Sequence, residues 1–85
     1  MDVNQATSIL QELQMADDAV LAYVDWRAQC TRVQTEYRRW SEAGAADVAL
    51  AYGAYQAALD TEQAAASAYG RLMSSVGHLV KSRLD

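Results

Sequence analysis

The sequence predicts an all-α protein, an antiparallel two-helix hairpin that pairs into a four-helix bundle as a dimer. The chain of 85 residues has no proline and only four glycines, and its alanine-rich composition leaves little material for turns or sheets. Apolar residues recur at alternating spacings of three and four, which is typical of long amphipathic helices. A single domain this small buries a modest core, so we expect a partner to share it.

The first helix is predicted to span about residues 3–41. Asp2 can cap it by accepting an amide proton of the first turn, while Gln5 reaches back. Its apolar residues form two stripes that change phase between Tyr23 and Trp26: Ala6, Ile9, Leu13, Ala16, Val20 and Tyr23, then Trp26, Cys30, Val33, Tyr37 and Trp40, with Leu10, Leu21 and Val24 beside the first stripe. In a coiled coil such a phase change predicts local overwinding or an exchange of packing partner.

A turn is predicted at about residues 42–46. Gly44 can take the left-handed conformation that ends a helix, and Arg38 and Arg39 in the last turn complement the helix dipole. Asp47 then lies near the start of the next helix. Because proline is absent, the sequence leaves open one continuous rod, but two halves of equal length favour an antiparallel hairpin.

The second helix is predicted to span about residues 46–82. Its main row is interrupted only by Glu62: Val48, Tyr52, Tyr55, Leu59, Glu62, Ala66, Tyr69, Met73, Val76 and Val80. Beside it runs a row at seven-residue spacing: Ala51, Ala58, Ala65, Leu72 and Leu79. Two rows make a face too wide for one neighbour, so we expect a second copy or another helical protein to pack on it. The predicted interface residues are Trp26, Trp40, Tyr52, Tyr55, Leu59, Glu62, Tyr69, Leu72, Met73 and Val76.

Three residues could carry chemistry, and for each we favour a structural role. An acid in an apolar row is costly unless it is paired, so we expect Glu62 to fix the register by accepting a tyrosine hydroxyl, with simple exposure as the alternative. Cys30 is expected in the core, opposite about residue 58 and away from His78. The Glu-x-x-His pair, phosphate loops and zinc spacings are absent from the sequence. The prediction is therefore a non-enzymatic protein with no catalytic, cofactor-binding or metal-binding residues.

Charge and targeting signals bear on partners and location. The net charge of −4 opposes binding to nucleic acid or anionic membranes. Arg27, Arg32, Arg38 and Arg39 lie among aromatic residues and keep a nucleic-acid role open, although Glu36 can pair with Arg32 and Arg39 on the helix surface. One cysteine allows no internal disulfide, and we identify neither a membrane span nor a secretory signal peptide. We expect a cytoplasmic protein, with export without a cleavable signal as the alternative.

Two long helices around a central Trp40 and Gly44 resemble the small helical hairpins of the WXG100 family, a resemblance that implies a four-helix dimer and export. That family carries Trp-x-Gly at its turn, whereas here Ser-Glu-Ala separates Trp40 from Gly44, and the tyrosine-plus-acid export signal is not found after Tyr69. No functional residue is therefore transferred. The sequence favours a helical protein–protein interaction module, such as an adaptor, secretion chaperone or assembly component, over an exported hairpin.

Overall fold

The protein is a hairpin of two long helices. The computed structural model describes residues 2–84 and contains α1 (Val3–Glu42) and α2 (Val48–Leu84), which pack against each other along their lengths. The predicted all-α hairpin is confirmed, and the single continuous rod is excluded. The Cα atoms span 66 × 21 × 13 Å. The molecule is therefore a layer one helix thick, with both of its broad sides bare.

The helix ends explain where the chain reverses. Asp2 Oδ1 accepts the Gln5 amide proton at 2.8 Å, which confirms the predicted cap of α1. α1 ends because Ala43 is extended (φ −71°, ψ 139°), and its N–H donates to the Trp40 carbonyl. The prediction that a left-handed Gly44 ends α1 is wrong, since no described residue has a positive φ. Instead the Gly44 carbonyl accepts from the amides of Asp47 and Val48 at 3.0 Å, and this turn leads directly into α2.

The helices meet along one seam whose residues alternate in steps of three and four. In α1 the seam consists of Glu12, Met15, Ala19, Ala22, Trp26, Gln29, Val33, Glu36 and Trp40. In α2 it consists of Ala51, Tyr55, Ala58, Glu62, Ala65, Tyr69, Leu72, Val76 and Leu79. Ala58 is completely buried, and Ala19 and Ala65 nearly so. No large side chain of residues 2–84 is fully buried, so the hairpin alone has a thin core.

The seam of α1 keeps one repeat on both sides of the predicted change of phase, so the first predicted stripe is not the one that packs on α2. Of the predicted second stripe, Trp26, Val33 and Trp40 lie in the seam, whereas Cys30 and Tyr37 lie on its flank. The seven-residue repeat of Trp26, Val33 and Trp40 extends back to Glu12. The large residues of the predicted first stripe lie outside the seam and stay exposed: Ile9, Leu13, Val20 and Tyr23. The Tyr23 ring alone among these four contacts a ring of α2, that of Tyr69. These residues are therefore available to another partner.

Candidate protein interaction surface

The two broad sides of the hairpin have opposite character. We call one the apolar side, formed by the residues that follow the seam on one flank: Ile9, Ala16, Tyr23, Cys30 and Tyr37 of α1 and Tyr52, Leu59, Ala66, Met73 and Val80 of α2. We call the other the polar side: Gln11, Asp18, Asp25, Arg32 and Arg39 of α1 and Ala54, Thr61, Ala68, Ser75 and Ser82 of α2. The apolar side has no charged residue, whereas the polar side has four.

Contacts across the seam show that both rows of the apolar side lie on the same flank. The Tyr23 ring of α1 lies 5.6 Å from the Tyr69 ring of α2, and the Trp40 ring lies 5.0 Å from the Tyr52 ring. An open groove is lined by Val20 and Tyr23 from α1 together with Met73 from α2. The apolar side is therefore one surface to which both helices contribute.

Large side chains of the apolar side remain accessible in the hairpin. The exposed fractions are 41% for Tyr52, 37% for Leu59, 42% for Met73 and 53% for Val80. Leu13 and Val20 extend this surface onto the outer edge of the first half of α1. Contiguous exposed apolar surface of this kind is rare on monomeric proteins and marks interaction sites.

Two stacked aromatic clusters lie in the seam, next to the apolar side. Trp26 stacks on Tyr69 with ring centres 5.6 Å apart, and Trp40 stacks on Tyr55 at 5.4 Å. Tyr37 adds an edge contact to Tyr55 at 5.7 Å. Each such pair contributes about 0.5–1.5 kcal/mol beyond area burial and restricts ring motion. Rigid aromatic side chains of this kind are typical anchors of protein interfaces.

Glu62 sits in the seam and is bonded from the opposite helix. Trp26 Nε1 donates to Glu62 Oε1 at 2.8 Å, and Cys30 Sγ lies 3.8 Å from the same oxygen. The predicted tyrosine donor is wrong, because the seam places the Trp26 indole across from this carboxylate. The bond joins the two helices at one register, which supports a register-fixing role for Glu62.

Cys30 and His78 do not form a reactive pair. Cys30 lies against Glu62, one helical turn beyond the position 58 expected from the sequence. His78 is exposed on α2, sixteen residues beyond Glu62 and thus about 24 Å further along the helix at 1.5 Å per residue. Among residues 2–84, no group of three or more His, Cys, Asp or Glu side chains could hold a metal ion.

The structure divides the ten predicted interface residues into two groups. Seven lie in the seam inside the hairpin: Trp26, Trp40, Tyr55, Glu62, Tyr69, Leu72 and Val76. Three lie on the apolar side: Tyr52, Leu59 and Met73. The prediction omitted exposed residues of the same surface, namely Ile9, Leu13, Val20, Tyr23, Tyr37 and Val80. Their signal was present in the sequence as the apolar stripes of α1 and the end of the main row of α2.

The four arginines of α1 do not form one patch. Arg32 and Arg39 belong to the polar side, where Arg39 pairs with Glu36 at 3.0 Å as predicted. By helical spacing, Arg27 and Arg38 fall on the outer edge of α1. This separation gives little support to a continuous surface for a nucleic-acid backbone.

No helix of the described residues is long and apolar enough to cross a membrane. Comparisons with protein-family models, curated proteins and solved structures find no match to this chain.

Proposed function

We propose that this protein is a non-enzymatic helical protein–protein interaction module that binds a helical partner, its own copy or another protein, through the apolar side. Adaptors, secretion chaperones and assembly components work in this way. The observation that carries the proposal is the contrast between the rows that flank the seam: exposed Tyr, Leu, Met and Val side chains without charge on one flank, and acids, arginines and hydroxyls on the other. Exposed apolar residues gathered on one flank are typical of an interaction site, whereas apolar residues scattered singly over a surface are not.

The total accessible surface supports the same proposal. The chain exposes 6456 Å². A compact monomer of its mass, 9.3 kDa, would expose about 5,000 Å² by the usual surface-to-mass scaling. The surplus of about 1,500 Å² exceeds the roughly 800 Å² that each partner buries in a standard interface. Covering the apolar side would also thicken the thin core.

The alternatives have less support. A nucleic-acid role is disfavoured by the net charge of −4 and by the separation of the arginines on the surface. Export as a helical hairpin concerns delivery rather than this surface, and it rests on the WXG100 resemblance alone.

A pair of double variants tests the proposal. Leu59→Glu with Met73→Glu places two charges on the apolar side, while Thr61→Glu with Ser75→Glu places the same charges on the polar side two residues further along α2. The tagged chain and both variants are purified from the native host, and stoichiometrically bound protein is identified by mass spectrometry. We expect the wild type and the polar-side variant to retain one bound helical protein, own copy included, and the apolar-side variant to lose it. Equal retention by both variants would refute the proposal.

A further inference from the structure

We infer that the apolar side is covered by a second copy of this chain, related by a two-fold axis parallel to the helices, so that both turns lie at the same end of the bundle. This inference rests on the proposed function and names its partner and arrangement. In it, α1 of each copy packs antiparallel on α2 of the other. Three observations carry it: the size of the surface, the distribution of charge and the pattern of large and small residues.

The surface is large enough for a stable dimer. The hairpin is 66 Å long and 21 Å wide between Cα extremes, which gives a footprint of about 1,400 Å². A standard interface needs only about 800 Å² from each partner. Two layers, each one helix thick, would make a four-helix bundle with a central core.

Charge along the helices is self-complementary. The N-terminal part of each helix is acidic without a basic residue: Asp2, Glu12, Asp17, Asp18 and Asp25 before Arg27 in α1 and its cap, and Asp47, Asp60 and Glu62 before Arg71 in α2 and its cap. The basic residues lie in the C-terminal parts: Arg27, Arg32, Arg38 and Arg39 in α1, which outnumber Glu36 and Glu42 there, and Arg71, Lys81 and Arg83 in α2. Antiparallel packing of α1 on the α2 of a second copy sets an acidic N-terminal part beside a net positive C-terminal part, as already occurs within the hairpin between Glu12 and Arg83.

Side-chain size selects the arrangement with both turns at one end. Counted from the open end, the apolar-side rows then meet as Ile9 with Val80, Ala16 with Met73, Tyr23 with Ala66, Cys30 with Leu59, and Tyr37 with Tyr52. Three consecutive pairs set a small residue against a large one, which is how close-packed cores interdigitate. With the turns at opposite ends, Ala16 would meet Cys30, and Ala66 would meet its own copy, leaving voids.

Two glycines in the interior of α2 support this arrangement independently. Gly70 and Gly77 weaken a helix, and a Cβ built at either would meet nothing within 4 Å inside the hairpin. Both lie on the outer flank of the apolar side. With the turns together, Val20 and Leu13 of the second copy lie over Gly70 and Gly77, so the partner explains glycines that the hairpin does not. With the turns apart, Val20 would instead meet Arg27.

The glycines give a sharp test, because larger residues there leave the hairpin unobstructed. Gly70→Leu with Gly77→Leu is compared with Gly53→Leu, which also has open space but faces outward from α2. Sedimentation equilibrium measures dimer dissociation, and circular dichroism verifies that each chain is helical. We expect the double variant to weaken the dimer at least about a hundredfold, equivalent to about 2.7 kcal/mol, and Gly53→Leu to leave it unchanged.

The orientation is measured separately. In a Cys30→Ser background, Ala45→Cys carries a spin label at the turn, and the distance between the two labels is determined by pulsed electron resonance. We expect less than about 30 Å, whereas turns at opposite ends would give about 60 Å for helices of this length.

A long label distance, or a dimer insensitive to the Gly70→Leu and Gly77→Leu substitutions, would overturn the arrangement. A wild-type chain that stays monomeric at about 100 μM would overturn the second copy as the occupant. The proposed function would then still be decided by the paired charge variants, because these report binding of any partner.

Discussion

The hydrogen bond between Trp26 and Glu62 should hold the hairpin in register, and its loss should be measurable. Trp26→Phe keeps an aromatic ring to stack on Tyr69 but removes the indole N–H that donates to Glu62 at 2.8 Å. A hydrogen bond to a charged group is worth about 1.5–3 kcal/mol. Because Glu62 is only half-buried, solvent replaces part of that interaction. We therefore expect Trp26→Phe to lower the free energy of unfolding by about 1–2 kcal/mol.

Removing both partners of the Trp26–Glu62 hydrogen bond should destabilise the hairpin less than removing the donor alone. In Trp26→Phe the carboxylate keeps its charge in the seam without the indole donor, whereas Trp26→Phe with Glu62→Leu leaves neither a charge nor an orphaned donor. Replacing a buried polar pair by apolar residues is often neutral or stabilising. We therefore expect the double variant to be at least as stable as the wild type, and hence more stable than Trp26→Phe by about 1 kcal/mol or more.

Urea unfolding followed by circular dichroism measures these free energies at one fixed chain concentration, because the stability of an oligomer depends on concentration. In thermal unfolding, Trp26→Phe should lower the midpoint by about 5–10 °C for a chain of this size. Tyr37→Phe is the control, since it keeps the edge contact with Tyr55 and removes only a hydroxyl. If Trp26→Phe matches this control, and the double variant is no more stable than Trp26→Phe, the bond does not stabilise the hairpin.

Three further stability predictions follow from the seam and the turn. Ala58→Leu should lower the free energy of unfolding by about 2–3 kcal/mol because Ala58 is completely buried. The exposed control Ala57→Leu should change it by less than about 0.5 kcal/mol. Equal changes for the two variants in urea unfolding would place the seam elsewhere. Gln29→Leu should stabilise by about 1 kcal/mol, because Gln29 Oε1 has no hydrogen-bond partner among residues 2–84 and the substitution removes only the exposed 3.3 Å bond that Gln29 Nε2 donates to Asp25. The exposed control Gln11→Leu should not stabilise, and a lower unfolding midpoint for Gln29→Leu would contradict this packing. Gly44→Ala should be neutral or raise the thermal midpoint slightly, since Gly44 lacks a positive φ and has open space around it; a loss above about 1 kcal/mol would indicate the left-handed cap instead.

The hairpin itself was predictable from the sequence because its local signals agree. Asp2 caps the first helix, apolar steps of three and four continue through both halves, and the one weak point lies before Asp47. The turn chemistry was not predictable in detail. A glycine suggests a left-handed cap, but extended backbone at Ala43 ends α1 equally well.

The seam was harder to predict, because each helix has more apolar rows than one partner can cover. In α1 the row through Ile9, Leu13 and Val20 is more apolar than the true seam through Met15, Ala19 and Ala22. The register depends on the opposite helix and on the Trp26–Glu62 bond, which hydrophobic spacing does not encode. The predicted first stripe of α1 does not belong to the seam, and its apolar residues are therefore the ones that a partner could cover.

The solution mass of the wild-type chain tests the central claim, that the apolar side needs a partner, most directly. Light scattering over a dilution series, with circular dichroism on the same samples, distinguishes the outcomes. We predict a helical species near twice the 9.3 kDa chain mass, or a poorly helical monomer if the partner is another protein. A fully helical monomer that unfolds cooperatively at every concentration would show that the hairpin is complete without covering this side, and would contradict the claim.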